Sequence, residues 1–566
     1  MNIRQFLYRL GTIVATIVCV ICMSLLMFNY LESKKRSSLE SNKELFNDDL
    51  VTCEVVEKAK LSANEWKLHG FSNLISNAFR KILKIKNFQI EPISVRQGND
   101  LCSGEIAVVA NRRAVKVKPA LETLLGESIT DDEMPNIGLV LSGGGNQAMI
   151  ASLGFLMGLE KIGVLDACSY LAALSGSTWM LSSWLARNAS LADLNEIMQK
   201  HEVINERKLA RTNFDAIAKT LVKKIADYQP ISFCDIWGGF LADSFFRDLP
   251  KEKQEIYLSG LAPHMESGNY PFSLFTAAID KTYPYEWVEL SPFEIGAEYL
   301  KTWIPTLAFG KYFINGRTVD PAMEPGIGFM MGMFGSAYAA HIKDFLRFAL
   351  PPIEKSMSKM LGDAKMPTKF VQSAVRAVFK EMNSLLSLSK KHAVIDSLRF
   401  SPPQIFNFTR GLKGVPFSKN KFLTLVDAGM ACNLPFPPLL RRNVNLYIAA
   451  DVSGDVIGTT LQKTELYARQ KGYKFPKVDL NDLEANKVSL LYDQNDPEVP
   501  VVIYIPNREA KSIFKFEFTQ KEYDSLRGYM ESATEEARET IVQAIRIAIS
   551  NLKKLKDQPE LKSACK

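Results

Sequence analysis

Short apolar runs that break abruptly into small-residue turns punctuate this chain, and a helical period follows the first two breaks. Ile137-Gly138-Leu139-Val140-Leu141 is a run of buried-strand type, preceded by the turn Thr130-Asp131-Asp132-Glu133-Met134-Pro135. It breaks into Ser142-Gly143-Gly144-Gly145, after which Ala148, Met149, Ala151, Leu153, Leu156 and Leu159 mark a helix from about Gln147. The pattern returns at Ser169–Leu174, an apolar strand ending in Ser175-Gly176-Ser177-Thr178, with Trp179, Met180, Ser183 and Trp184 on the helix beyond. A third strand, Phe422–Val426, ends in Asp427-Ala428-Gly429 and leads to Asn433-Leu434-Pro435. Helical punctuation and charge occupy about 98–128, and Glu535–Leu555 is an amphipathic helix whose terminal lysines suit the helix dipole. No internal repeat with a period of roughly 20–50 residues is visible.

The N-terminus departs from this pattern. Leu10 to Phe28 is an uncharged apolar stretch of nineteen residues, with Arg4 and Arg9 before it and Lys34, Lys35 and Arg36 after it. At about 1.5 Å per residue it nearly spans a hydrocarbon core of about 30 Å. The exit Asn29-Tyr30-Leu31 is a poor cleavage site. An uncleaved single-pass membrane anchor over 1–32 is therefore expected, with a cleaved signal and secretion as the alternative. Basic residues on both sides leave its orientation unread. Residues 33–97 read as a polar linker and helical extension. Segment 350–395 carries eight lysines and arginines against three acids on a helix-like pattern, either a solvated face or a surface that meets anionic lipid.

Composition narrows the function classes. With 47% hydrophobic and 23% charged residues the chain is globular, and 566 residues suffice for three or four domains or one large α/β domain with insertions. A formal charge of +7 over that length is no nucleic-acid footprint, which needs basic residues clustered on one face. Eight cysteines without regular spacing give neither a disulfide framework nor a zinc site. The five histidines, His69, His201, His264, His341 and His392, include no two at metal-ligand spacing, so no metal is expected.

The two turns carry the candidate chemistry. Strand, glycine turn and helix place free backbone N–H groups at a helix N-terminus, where negative charge is stabilised. A phosphate-binding loop would need G-K-[ST], and Asn146-Gln147 does not supply it. A dinucleotide site fits Gly143-x-Gly145-x-x-Ala148, but the nearest acid, Asp166, precedes the second strand rather than following it. An oxyanion hole is the third use, and a tight turn without a ligand is the fourth. Ser175 sits at a strand-to-helix elbow that exposes its hydroxyl over a helix N-terminus. Its neighbours Ala173 and Ser177 break the G-x-S-x-G pattern, so a helix-capping serine also accounts for it. No histidine follows a strand-and-turn pattern. Asp427 does, at a strand exit where a parallel sheet would present a catalytic group. A capping acid explains Asp427 equally well.

Taken together, SGGGNQAM, LSGSTW and VDAG followed by NLPFPPLLRR resemble the catalytic domain of group IV cytosolic phospholipase A2 and of the fungal lysophospholipases (phospholipase B). EWVELSPFEIG, FGKYFING and MGMFGSAYA resemble segments of that domain in the same order. The similarity covers roughly 98–450 well and the C-terminal part more loosely. It implies an α/β fold of the patatin and cytosolic-phospholipase type, a mostly parallel central sheet with flanking helices, and a catalytic domain over 98–566. It implies Ser175 as nucleophile, Asp427 as its base, and the N–H groups of Gly143, Gly144 and Gly145 as the oxyanion hole. Gln147 and Asn433 would line the substrate site.

The reaction implied is hydrolysis of a fatty-acyl ester in a glycerophospholipid or lysophospholipid at a membrane surface, through an acyl-serine intermediate. An acyltransferase on the same two residues and a catalytically silent lipid-binding protein are the alternatives. The family has an arginine where this chain has Gln147, so the cationic fork that would hold a phosphate is absent. No cofactor is implied. Calcium is not implied either, because the residues between the apolar segment and 98 lack the clustered aspartates of a C2 domain.

Overall fold

A computed structural model describes residues 91–202, 232–250, 255–336, 402–509 and 518–557, less Lys281, Tyr283 and Pro321, together with Lys224, Asp227, Gln229 and Pro230. The apolar segment 10–28, the linker over 33–60 and the basic segment 350–395 lie outside these residues.

The strands are β1 (Arg96–Gln97), β2 (Ile137–Leu141), β3 (Tyr170–Ala173), β4 (Phe272–Ile279), β5 (Glu286–Leu290), β6 (Glu294–Ala297) and β7 (Thr302–Pro305). They continue with β8 (Phe313–Ile314), β9 (Arg317–Thr318), β10 (Gln404–Phe406), β11 (Phe422–Asp427), β12 (Leu446–Asp451), β13 (Ser489–Leu491) and β14 (Val501–Pro506). Apart from the small β8–β9 hairpin they form one sheet in the order β1-β7-β6-β5-β4-β3-β2-β12-β14-β13, with β11 also on β4 and β10 on β11. The five neighbours β4-β3-β2-β12-β14 run parallel. Every residue of β2, β3, β12 and β14 is buried, which is why they read as continuous apolar runs rather than alternating ones. The flank β4-β5-β6-β7-β1 and the β13 edge are antiparallel.

Helices cover the sheet. Those used below are α1 (Ser103–Arg112), α2 (Gly145–Lys161), α3 (Gly176–Arg187), α4 (Phe233–Phe246), α5 (Ile327–Phe334), α6 (Gln520–Glu536) and α7 (Arg538–Asp557). The fourteen residues of α2 from Gly145 to Leu156, with Gly158 and Leu159, are all buried, so this helix is a core element and needs no polar face. The amphipathic tail expected over Glu535–Leu555 is α7, separated from α6 at Ala537. Two arginines of the NLPFPPLLRR segment are structural. Arg442 pairs with Glu105 of α1 and Glu289 of β5, and Arg441 also pairs with Glu289, all within 2.9 Å.

Two strands meet end to end, and this places the site. Residues 275–279 of β4 pair along one edge with β5. Along the other edge, β4 pairs with β3 through Phe272–Phe275 and with β11 through Ala277–Ile279. The first pairing is parallel and the second antiparallel, so β3 and β11 approach each other from opposite directions. Ala173 ends β3 opposite Phe275, and Asp427 ends β11 opposite Ala277. Only Thr276 separates the two levels, and its hydroxyl donates to the Ala173 carbonyl at 3.0 Å. The expectation that Asp427 leaves a parallel strand is thus corrected. It arrives antiparallel, and it reaches the serine turn because the strands share an edge.

Candidate active site

Ser175 follows β3 as the residue before α3, with φ 50° and ψ −122°. A non-glycine residue in that region costs about 1–3 kcal/mol and persists only where its surroundings fix it. The Thr178 hydroxyl donates to the Ser175 carbonyl at 2.5 Å, and Leu174 N–H donates to the Leu141 carbonyl at 3.2 Å. The next residue, Gly176, lies against the glycine loop, where an added Cβ would stand 1.9 Å from the Gly145 carbonyl oxygen. Only a residue without a side chain permits that approach.

Ser175 Oγ donates to Asp427 Oδ2 at 2.8 Å, across 252 positions of sequence. Asp427 is almost wholly buried, and its Oδ1 accepts the Gly429 N–H at 2.8 Å. Its own N–H donates to Ser336 Oγ at 2.9 Å. A hydroxyl and a carboxylate are thus within direct proton-transfer distance, the geometry a general base requires.

The glycine loop stands beside this pair. Gly144 (φ 143°) and Gly145 (φ 64°) take backbone angles that side chains avoid, and they turn the chain from β2 into α2. The Gly143 N–H donates to the Asn433 carbonyl at 3.1 Å, which occupies it. Gly144 and Gly145 open α2, where the first N–H groups have no intrahelical acceptor. Gly143 is thus set apart from its two neighbours, whose N–H groups stand at the start of α2. The N-termini of α2 and α3 both open at this point, which favours negative charge.

The other expected residues surround the loop. Gln147 is buried, and its amide Nε2 reaches the Ser453 carbonyl at 3.5 Å. Asn433 Nδ2 donates to the exposed Asp455 at 2.8 Å. The turn after β12 also reaches the loop, and no motif in the sequence marks it. There Asp451 accepts from the Ser453 hydroxyl at 2.6 Å and the Tyr504 hydroxyl at 2.7 Å. Burial pushes the Asp451 carboxyl above its ordinary value, while those hydroxyls oppose the shift. Val452 N–H donates to Ser142 Oγ at 2.7 Å, so this turn fixes the start of the glycine loop. Ser177, Ser152 and Ser336 are likewise unmarked. Ser152 and Ser177 sit inside largely apolar helices and Ser336 in the turn just past α5, where a hydroxyl carries no signal in the sequence beyond its own polarity.

Residues 137–565 match the family described as the lysophospholipase catalytic domain. Cytosolic phospholipase A2 zeta of Mus musculus is 29% identical over 466 residues, covering 73% of this chain and 54% of its own length. Cytosolic phospholipase A2 delta of Homo sapiens is 26% identical, covering 74% of this chain and 56% of its own. The chain therefore spans about half the length of the curated relatives it matches. The solved human GIVD cytosolic phospholipase A2 superposes with a TM-score of 0.66 at 22% identity, over 81% of this chain and 69% of that one, a likeness of fold. The expected location as a single-pass membrane protein is corrected by these findings. The relatives are named cytosolic, and no helix among the described residues is long and apolar enough to cross a membrane. The 20-residue α7, for instance, carries Arg538, Arg546, Lys553, Lys554 and Lys556.

Proposed function

Because the chain belongs to the lysophospholipase catalytic-domain family, we propose that it is a serine acyl-hydrolase cleaving fatty-acyl esters of glycerophospholipids or lysophospholipids. The observation that carries this reading is the 2.8 Å hydrogen bond from Ser175 Oγ to Asp427 Oδ2. Ser175 Oγ attacks the ester carbonyl carbon while its proton passes to Asp427 Oδ2. The N–H groups of Gly144 and Gly145 receive the charge that develops on the carbonyl oxygen. As the ester C–O bond breaks, Asp427 returns the proton to the leaving oxygen, and an acyl-serine remains. Water then attacks that ester, giving its proton to Asp427, which passes it to Ser175 Oγ as the acyl–oxygen bond breaks and the fatty acid departs.

Gln147 offers a neutral amide beside the loop, so the head group is held by hydrogen bonds there rather than by a guanidinium fork. Asn433 belongs to the same rim. Substrate is met at a lipid surface, where such esters reside. The catalytic unit is taken as 98–566, which the match over 137–565 supports.

The test uses an alkyl fluorophosphonate and lipid vesicles. Wild-type protein is expected to be labelled at Ser175 and to release fatty acid. Ser175→Ala and Asp427→Asn each lower turnover by about 10⁴-fold or more while the fold is kept. Each of the five histidines replaced by Gln retains turnover. Turnover above a few per cent of wild type in Ser175→Ala, or one folded but dead histidine variant, overturns the assignment. Adding an alcohol acceptor and analysing the lipid products separates hydrolysis from acyl transfer.

A further inference from the structure

We propose that Ser336 and the last turn of α5 form a positioning joint that sets the distance between Ser175 and Asp427, with Ser336 as the positioning residue for the base. This inference rests on the Ser175–Asp427 reading above and assigns a role to the MGMFGSAYA segment, which that reading leaves without one.

Asp280 N–H donates to the Thr424 carbonyl at 2.9 Å, so Thr424 and Val426 direct their backbone groups toward β4. Leu425 and Asp427 therefore point the opposite way. Leu425 N–H meets the Pro403 carbonyl at 2.9 Å, just before β10 begins. The next donor on that edge is Asp427 N–H, and in place of a strand it meets the Ser336 hydroxyl at 2.9 Å. Ser336 is 6% exposed, so water does not readily substitute for it. A buried N–H without an acceptor is costly, and the chain would shift to find one.

The same turn of α5 also grips the nucleophile's helix. Trp179, one helical turn beyond Ser175, donates from Nε1 to the Met331 carbonyl at 2.9 Å. Its ring lies so close to Gly335 that an added Cβ would be 2.2 Å from Cζ2. Phe334 stacks on Phe275 of β4 with ring centroids 5.4 Å apart, opposite the point where β3 ends. Met331 to Ser336 thus contact α3, β4 and β11, the three elements whose relative placement fixes the dyad. A hydrogen-bonded pair at 2.8 Å tolerates little drift, and a displacement of about 1 Å near reacting atoms costs up to about 100-fold in rate.

The experiment measures the second-order rate of inactivation by an alkyl fluorophosphonate, and kcat and KM on lysophospholipid micelles. It compares the full chain, Ser336→Ala, Ser336→Thr and Trp179→Phe. Ser336→Ala is expected to slow labelling and kcat by about tenfold or more with KM changed by less than about twofold, since it moves the base and not the lipid contacts. Ser336→Thr retains an acceptor hydroxyl and restores most of the loss. Trp179→Phe, which removes only the indole donor, gives a several-fold drop of the same kind, and it decides the matter if Ser336→Ala does not fold. Labelling by Ser336→Ala or Trp179→Phe within about twofold of wild type overturns the joint, as does equal loss in Ser336→Ala and Ser336→Thr. If wild-type protein is not labelled at Ser175, the dyad reading fails first and takes this inference with it. If labelling depends on Ser175 and Asp427 but not on Ser336, only the joint falls.

Discussion

Removing the hydroxyl of Ser177 should damage the site more than its size suggests. Ser177 Oγ donates to the Ser142 carbonyl at 2.5 Å and lies 2.7 Å from Ser152 Oγ, and all three residues are fully buried. A carbonyl can only accept, so the one proton of Ser177 goes to Ser142. Ser152 must then be the donor in the second bond. Ser177→Ala therefore strands two groups at once, the Ser142 carbonyl and the Ser152 hydroxyl. At about 1–3 kcal/mol for each buried group left without a partner, the expected destabilisation is about 2–6 kcal/mol. The space left by one oxygen is too small for water to rescue them.

Ser152→Ala behaves differently. It leaves the Ser177–Ser142 bond intact and should cost about 1 kcal/mol. The double variant removes the stranded hydroxyl as well and should be no less stable than Ser177→Ala alone. Thermal midpoints of the four proteins supply the ranking, and fluorophosphonate labelling rates report on the elbow. Labelling should fall in Ser177→Ala, where the serine turn loses its tie to the glycine loop, and hold in Ser152→Ala. Equal destabilisation by the two single changes, or a double variant equal to their sum, would refute the proton assignment.

Further outcomes follow from particular contacts. Gly176→Ala drives a methyl into the Gly145 carbonyl oxygen, so one loop must shift. The melting temperature should drop by the equivalent of about 1–3 kcal/mol, and labelling should be nearly lost; unchanged labelling would show that the loops need not touch. Glu324 is buried beside Ser259, and desolvation raises its carboxyl to about 7, against the opposing Ser259 hydrogen bonds. The folded state therefore holds its proton more tightly than the unfolded chain does. Glu324 thus contributes stability that is present below about 4.5, the ordinary value, and is lost as pH rises to about 7. Glu324→Gln should flatten the melting temperature across that window, and an unchanged slope would exclude Glu324 as its source.

Much of this site was legible because its parts are local. The triple glycine after a fully apolar strand, and the serine opening a helix thirty residues later, are properties of short segments, and both appear where the pattern places them. Asp427 was legible as a strand exit, but its direction was not. β11 alternates half-buried and buried residues in the fold, but only Thr424 marks this in its sequence, and β4 is buried throughout, Ser273 and Thr276 included. The meeting of β3 and β11 on one edge is a property of pairing, which no single segment encodes. The distinction between Gly143 and its two neighbours depends on the Asn433 carbonyl, 290 positions away. Ser336 and Ser177 act through hydroxyls whose partners lie in other elements, so their residue type alone announces nothing.

The end-to-end meeting of β3 and β11 also sets the order in which the site can be assembled. The serine elbow is complete in sequence by residue 187, yet its partner carboxylate enters only with β11, and the glycine loop is braced only when β12 inserts beside β2. Contacts of such long sequence separation form late, because closing the intervening chain costs entropy before the pairing repays it. During synthesis the nascent chain thus carries Ser175 without its hydrogen-bond partner while more than 250 further residues are added. Onset of labelling at Ser175 would then report closure of the whole sheet. A fragment ending between Arg187 and β11 would carry the elbow and is expected to stay unlabelled.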